Sequence, residues 1–364
     1  MKSPLIRTSR REDAYLGKGS CVPVSSAIGR WAAYGVRCAV EALETRLLAV
    51  ASWRAKQWLP SNSFTSPNSV IIRQFYAACL VALALAGPAA AQAQKPLNDS
   101  IDVDKTHYTL FNPTPRKYMR PMVPDRPGIT ESPYSVDAGH FQYESDVLRL
   151  LTRREGPTHG HDWYANHFLA KIGLTDRTDF QVALDTYTYS HNFDDSQVGQ
   201  NPFDQNQLHR GVGDITLRLK HTLVGDDNSR GALGLVGYVQ LPTGGAVGDG
   251  GYEPGLTLTG VFQCTKTWSV GGQVANNFFY DPEAGQHFYQ LTPTITTDYQ
   301  FTKLVQGFVE LVGYWDTRQA AWRSSVNLGP QLDISDNVQL DFGTHLPITH
   351  SVDREYFLGI SFRH

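Results

Sequence analysis

The chain has 364 residues, a formal net charge of −3 and four cysteines, of which only Cys264 lies beyond residue 91. Residues 1–91 contain 11 of the 32 Lys and Arg but only 4 of the 35 Asp and Glu, which leaves a net charge of −10 on the remainder. An acidic chain without basic clusters is not expected to bind nucleic acid, and a single cysteine excludes an internal disulfide or a structural thiolate metal site there.

Residues 70–91 have the pattern of a secretory signal peptide. Arg73 precedes an apolar run over residues 77–86, and an Ala-rich exit follows at residues 89–91. This order of basic, apolar and small residues is typical of a cleaved export signal. The apolar run is too short to span a bilayer as a helix, which needs about 20 residues. Because such signals begin a chain, we interpret residues 1–69 as an over-extended gene start without structure.

From Gly139 onward, apolar and polar residues alternate over stretches that are interrupted by turn residues. In the segment Ile215 to Leu223, for example, the leucines point one way while Arg218 and Lys220 point the other. A soluble sandwich could show the same alternation, with the apolar face as its core. A transmembrane barrel would instead turn the apolar face toward lipid and the charged face toward the lumen.

The connections between the stretches favour the barrel. Short links alternate with longer ones, as expected for periplasmic turns opposite extracellular loops. The sequence therefore predicts an all-β fold, a closed antiparallel transmembrane β-barrel of about twelve strands at residues 139–364, with ten to fourteen strands compatible with the pattern. The predicted strands are 139–152, 162–174, 178–191, 213–224, 231–241, 255–265, 267–280, 287–300, 303–315, 321–333, 337–347 and 354–363.

The last predicted strand ends close to the C-terminus with outward aromatic and aliphatic residues, the last of them Phe362. Terminal aromatic strands of this kind are similar to the segment by which outer-membrane proteins are recognised for assembly. We therefore expect a protein of the bacterial outer membrane, with lipid, the barrel-assembly machinery and a small-molecule solute as its partners.

Residues 125–144 resemble a known family through an Asp-Arg-Pro triplet at Asp125, a Thr-x-Ser-Pro run at Thr130 and a Gly-x-x-Gln-x-Glu run at Gly139. Two further short motifs, Gly211-Val-Gly-Asp and Leu241-Pro-Thr-Gly, agree with it. The family is that of the transporters grouped under the meta-pathway of phenol degradation. The resemblance covers residues 120–364 and implies an outer-membrane channel for aromatic or hydrophobic compounds. The chain has Gly128 where the family usually has Asp.

Residues 92–138 precede the barrel, and two interpretations of this segment remain open. In the first, the segment folds into the lumen and pairs with charges on the wall, so that it acts as a constriction or latch. In the second, it is a periplasmic leader that only fixes the first strand. The candidate lumen and constriction residues are Asp125, Arg126, Glu131, Asp185, Arg218, Lys220 and Glu310.

The sequence favours passive uptake of small solutes over catalysis. Ser190, His191 and Asn192 have the residue types of a hydrolase triad, but neighbours in a strand face opposite sides. His159 and His161 lie in one predicted loop without a third ligand, so we expect no metal site, no catalytic residue and no cofactor. The alternative function is a filled barrel that serves structure or surface interaction without transport.

Overall fold

The computed structural model describes residues 103–155, 158–194, 208–349 and 351–364. The predictions for residues 1–69 and for the signal peptide at residues 70–91 lie outside these ranges. Among the described residues, no helix is both long enough and apolar enough to cross a membrane.

Thirteen strands make up the described structure, and a short 3₁₀ helix at Arg116–Tyr118 precedes them. The strands are β1 Phe141–Glu155, β2 Thr158–Gly173, β3 Thr178–Asp194, β4 Leu208–Gly211, β5 Ile215–Val224, β6 Gly231–Leu241, β7 Glu253–Gln263, β8 Trp268–Asp281, β9 Gln286–Gln300, β10 Val305–Asp316, β11 Trp322–Ser335, β12 Val338–Pro347 and β13 Arg354–Arg363.

The strands close into a single antiparallel ring. Each strand from β5 to β13 pairs with the next, β13 pairs with β1, and the ring is completed through β2 and β3. Strands β4 and β5 pair with successive parts of β3 and so occupy one position in the wall. The prediction of a closed twelve-stranded antiparallel barrel is therefore confirmed. Among the described residues, closure gives every strand except the short β4 a partner on both sides, so the ring has no long edge of unpaired backbone groups facing hydrocarbon.

Both ends of the described chain lie at the barrel end where the connections are short. His364 donates its backbone N–H to Phe141 at 2.9 Å, and the side chain of Arg363 donates to the carbonyl of Arg120 at 2.9 Å. At the opposite end, the prediction of a long loop between the first two strands is wrong. β1 continues to Glu155 and β2 begins at Thr158. The backbone ladder extends beyond the predicted ends through polar residues, from Arg153 with Gly160 to Glu155 with Thr158, where the sequence shows no alternation.

The polarity of the barrel is the reverse of that of a soluble globule. Lys220, Glu310 and Gln181 point inward and are fully buried, whereas Leu219 and Leu358 point outward and are each 48% exposed. In water, this arrangement would expose apolar area and bury charge, both of which are unfavourable. In a bilayer, the outward side chains meet lipid tails and the inward ones line a polar lumen. The chain is thus a transmembrane barrel.

Replacing Leu219 with Arg should impair insertion, because a charge that faces hydrocarbon costs about 2–4 kcal/mol at the centre of the bilayer. The fraction of folded barrel in lipid vesicles, measured by heat-modifiable migration in electrophoresis, should fall sharply. The matched control is Thr265→Arg, which places the same charge on an exposed turn and should leave folding unchanged. Equal folding of the two variants would contradict the assignment of the outer face to lipid.

Candidate functional site

A segment that precedes the first strand lies inside the ring. Residues 124–138, called here the inner segment, bond through their polar groups to side chains of nine strands, β1, β2, β3, β5, β7, β8, β9, β10 and β12. Such wide contact is possible only from within the lumen.

Asp125 anchors the start of the inner segment. Its carboxylate accepts hydrogen bonds from the ammonium groups of Lys171 at 2.6 Å and Lys220 at 2.5 Å, and from the backbone N–H of Ser132 at 2.9 Å. Its own backbone N–H donates to Glu144 at 2.8 Å. Burial alone would raise the pKa of Asp125, but the two ammonium groups outweigh burial and lower it. Asp125 is therefore ionised wherever the barrel is folded near neutral pH.

Arg126 bridges two acidic positions on the wall. Its guanidinium donates to both carboxylate oxygens of Asp341, at 2.6 and 3.1 Å, and also to Asp146. The planar guanidinium suits this two-pronged contact in a way that an ammonium group does not. Removing one partner from a buried ion pair costs about 3–5 kcal/mol, so Arg126 holds the inner segment firmly against β1 and β12.

Glu131, like Asp125, is an acidic residue of the inner segment that pairs with cations on the wall. Its carboxylate pairs with Arg218 on β5 and lies 3.8 Å from the ammonium nitrogen of Lys220. Its backbone groups are also held, since the N–H donates to Gln273 at 2.9 Å and the carbonyl accepts from Thr259. Glu131 thus ties the segment to the side of the barrel formed by β5, β7 and β8.

Glu310 on β10 receives the middle of the segment. Its two carboxylate oxygens accept the backbone N–H groups of Ile129 at 2.9 Å and Thr130 at 2.6 Å, while Asn327 donates to it at 2.7 Å. A Cβ on Gly128 would lie 3.2 Å from the nearer oxygen of Glu310. Glycine at residue 128 therefore leaves room for the fully buried carboxylate to approach the backbone closely.

The inner segment separates two cavities. The larger, of about 1110 Å³, opens among the short turns, and the smaller, of about 200 Å³, lies toward the opposite end. Four residues line both cavities: Arg126, Pro127, Gly128 and Glu131. Residues 126–131 therefore form the partition between the two halves of the lumen.

Six of the seven candidate residues from the sequence meet in this network, and Asp185 does not. Asp185 faces inward from β3, but its carboxylate contacts His167 at 2.5 Å rather than the inner segment. Reasoning from sequence missed Lys171, Glu144 and Asp146. The signal available for each was a charge at an inward position of a predicted strand.

Of the residues considered for a metal site and for a hydrolase triad, the side chains of His161 and Ser190 belong to the described part of the chain. No group of three His, Cys, Asp or Glu residues there could hold a metal ion. Ser190 accepts a hydrogen bond from Arg153 at 3.2 Å. The side chains of His159, His191 and Asn192 lie outside the described part of the structure.

Residues 124–362 match the family model described as "Putative MetA-pathway of phenol degradation". The chain belongs to this family. The match begins at the inner segment and ends in β13, so the family pattern includes both the partition and the barrel. No curated protein matches the sequence.

Solved structures of outer-membrane channels are similar to the chain at low identity. A channel from Pseudomonas putida F1 is 13% identical, with a TM-score of 0.47 over 66% of this chain and 98% of its own. The NanC porin is 10% identical, with a TM-score of 0.40 over 60% and 98%. The CymD monoaromatic hydrocarbon channel is 10% identical, with a TM-score of 0.34 over 62% and 87%.

Closed antiparallel barrels with an even number of wall positions and an apolar outer band occur in bacterial outer membranes. The ring described above has both features, with twelve wall positions and outward leucines. The protein is accordingly located in the bacterial outer membrane, with lipid around the wall.

Replacing Gly128 with Asp should loosen the inner segment, because a second carboxylate would lie against Glu310 in a site shielded from water. Hydrogen exchange at the amides of Ile129 and Thr130 should accelerate about tenfold or more, which corresponds to a loss of about 1.4 kcal/mol.

The matched control for that substitution is Gly128→Asn, which adds nearly the same volume without charge and can donate to Glu310. Its exchange rates should stay closer to those of the native chain. Equal acceleration in both variants would show that added volume, rather than charge, disturbs the contact.

Proposed function

We propose that the protein is a passive outer-membrane channel for small solutes, including aromatic or hydrophobic compounds, and that the inner segment is its constriction. The observation that carries this proposal is the partition: two cavities within one lumen meet at Arg126, Pro127, Gly128 and Glu131, which line both. Membership of the family described as "Putative MetA-pathway of phenol degradation" supports the choice of solute.

The constriction consists of charges held in opposite pairs. Of the six predicted residues, Asp125 and Glu131 pair with Lys220 and Arg218 on the wall, and Arg126 pairs with the wall acids Asp341 and Asp146. The sixth, Glu310, accepts the backbone N–H groups of Ile129 and Thr130. These contacts are non-covalent, and Arg126 and Glu131 line both cavities, so water can replace their contacts when the segment moves. Movement of the segment would join the two cavities into one path.

The size of the larger cavity is compatible with this function. Its volume of about 1110 Å³ slightly exceeds the range of sites that take small organic molecules, about 300–1,000 Å³. Its lining mixes acidic residues such as Asp298 and Asp333 with basic ones such as Lys266 and Lys303. A mixed lining favours neutral or weakly charged solutes over a strongly selected ion. The channel acts without catalysis or a cofactor.

The second candidate function is a filled barrel without transport. The closed partition and its many hydrogen bonds favour it, because a lumen occupied by the chain's own segment needs no solute. The two candidates differ in one respect, namely whether the inner segment must move for function.

The C-terminal strand supplies a further part of the proposal, which concerns assembly. Tyr356, Leu358 and Phe362 point outward from β13, and the ring of Phe362 stacks on Tyr143 of β1 with centroids 5.2 Å apart. The strand that closes the ring therefore carries an outward aromatic directly before its last residue, Arg363. We infer that the barrel-assembly machinery recognises the strand there.

Locking the inner segment to the wall tests the proposed channel. Thr130 and Thr294 bring their hydroxyl oxygens within 2.5 Å of each other, so T130C/T294C places two sulfurs at bonding reach. In a chain whose four native cysteines are replaced by Ser, the oxidised lock should reduce arabinose entry into proteoliposomes by about tenfold or more, since it holds the closed state. A reductant should restore entry.

The control for this lock is the single variant T130C, which loses the same hydroxyl contact but cannot form the disulfide. Its arabinose entry should be insensitive to oxidant. Full cross-linking with unchanged entry would contradict the proposed constriction. No entry in either redox state, with the barrel folded, would favour the filled barrel.

A further inference from the structure

A β-bulge in β1 turns Arg149 into the lumen. Asp146 pairs with Gly359 of β13, whereas Leu148 pairs with the residue next to Gly359. Val147 is therefore an extra residue in β1, and an extra residue reverses the faces of the residues that follow it. Unbroken alternation from Asp146 would turn Arg149 toward lipid. With the bulge, Arg149 lines the smaller of the two cavities.

The guanidinium group of Arg149 is held in place but makes no hydrogen bond among the described residues. Its carbon lies 4.5 Å from the centroid of the Tyr164 ring. The carboxylate of Asp146 is 3.7 Å away, beyond hydrogen-bonding distance, and Nε of Arg149 is buried without a partner. Nε of Arg218, in the same lining, likewise has no partner among them. Since most buried donors in proteins are paired, the cavity is short of acceptors.

The charges around this cavity balance, although its donors are not all paired. Five carboxylates line it, those of Asp125, Glu131, Glu144, Asp146 and Glu355. Lys171 and Lys220 neutralise two of them from the wall, since both contact Asp125 and Lys171 also contacts Glu144. Three guanidinium groups match the other three, those of Arg126, Arg149 and Arg218. An incoming anion would meet no excess of positive charge, whereas a neutral molecule needs none.

The apolar part of the lining and the size of the cavity suit one aromatic ring. Leu169 and Phe357 contribute apolar side chains, and Phe357 lies directly opposite Arg149 in the ladder between β1 and β13. A Cβ on Gly343 would overlap the ring of Phe357, so glycine at that position lets the ring lie against the wall. The volume of about 200 Å³ is below the 300–1,000 Å³ of sites for larger organic ligands.

We propose that the smaller cavity binds a neutral, single-ring aromatic solute through an oxygen atom that accepts hydrogen bonds from Arg149. The proposal rests on the proposed channel function, for which it names the class of solute. The oxygen pairs the unused donors, and the ring is removed from water against Leu169 and Phe357. Because Arg126 and Glu131 also line the cavity, a solute held there lies against the inner segment, on the extracellular side of the constriction.

Three probes that differ in one group test the chemistry of this site on the native barrel. Benzamide carries a neutral carbonyl on its ring, benzoate carries a carboxylate, and toluene has no acceptor. Their dissociation constants are measured by isothermal titration calorimetry of the folded barrel in detergent, with micelles alone subtracted. Benzamide should bind about tenfold or more tightly than toluene, because hydrogen bonds from a charged donor are strong. Benzoate should also bind about tenfold more weakly, because it loses hydration without meeting excess positive charge.

Substitution of the proposed donor tests the residue itself. Arg149→Met removes the guanidinium and should weaken benzamide binding by about tenfold or more, while toluene binding stays unchanged. The matched control is Arg153→Met on the same strand, whose guanidinium contacts Asp162, and it should bind benzamide as the native barrel does. Arg149→Lys keeps the charge beside Asp146 but not the planar donor, so it should also weaken benzamide binding, even if Arg149→Met fails to fold.

Several outcomes would overturn the site. Toluene binding as tight as that of benzamide would mean that the cavity takes a ring without using Arg149. Tighter binding of benzoate than of benzamide would mean that it recognises an anion, and no binding of benzamide to the folded native barrel would mean that it binds neither. Equal weakening in Arg149→Met and Arg153→Met would assign the effect to the charge of the lumen.

The same measurements separate this site from the channel function. Binding needs no transport, so benzamide that binds a barrel through which arabinose does not pass would contradict the channel and leave the site intact. Passage of arabinose through a folded barrel that does not bind benzamide would do the reverse.

Discussion

Everything in the molecule depends on the requirement that backbone groups in hydrocarbon be paired within the chain. Twelve wall positions close into a ring because an open edge would leave a row of N–H and C=O groups without partners. Closure then divides the side chains into two sets, since alternate residues of a strand face opposite sides. The outward set, such as Leu219, meets lipid, and the inward set, such as Lys220, is enclosed.

Enclosed charges in turn require partners, because an isolated buried ion costs far more than a paired one. The wall supplies some pairs itself, such as Lys171 with Glu144. It leaves Arg218, Asp341 and Glu310 to be matched by the inner segment. The same charges that make the lumen wet therefore hold a segment across it. A constriction built from exchangeable pairs can be firm at rest and still release when water or solute replaces its contacts.

The sequence predicts the ring well and the site only in part. Alternation from Ile215 to Leu223 is a local signal, so the strand, its two faces and the lumen position of Lys220 follow from it. The partners of Arg126 do not follow, because Asp341 lies 215 residues away and its register depends on nearly the whole ring. The sequence also did not predict the short strand β4 or the contact in which Asp214 accepts the backbone N–H of Gly244. Both depend on where a loop folds, which alternation does not encode.

The central claim is that the inner segment lies within the lumen and limits passage through it. The most direct measurement is the single-channel conductance in planar bilayers of the native chain and of a chain that lacks residues 124–133, each first shown to be folded. Removing the partition should join the two cavities and produce a conductance several times that of the native barrel. An unchanged conductance would mean that the path, if there is one, does not pass the inner segment.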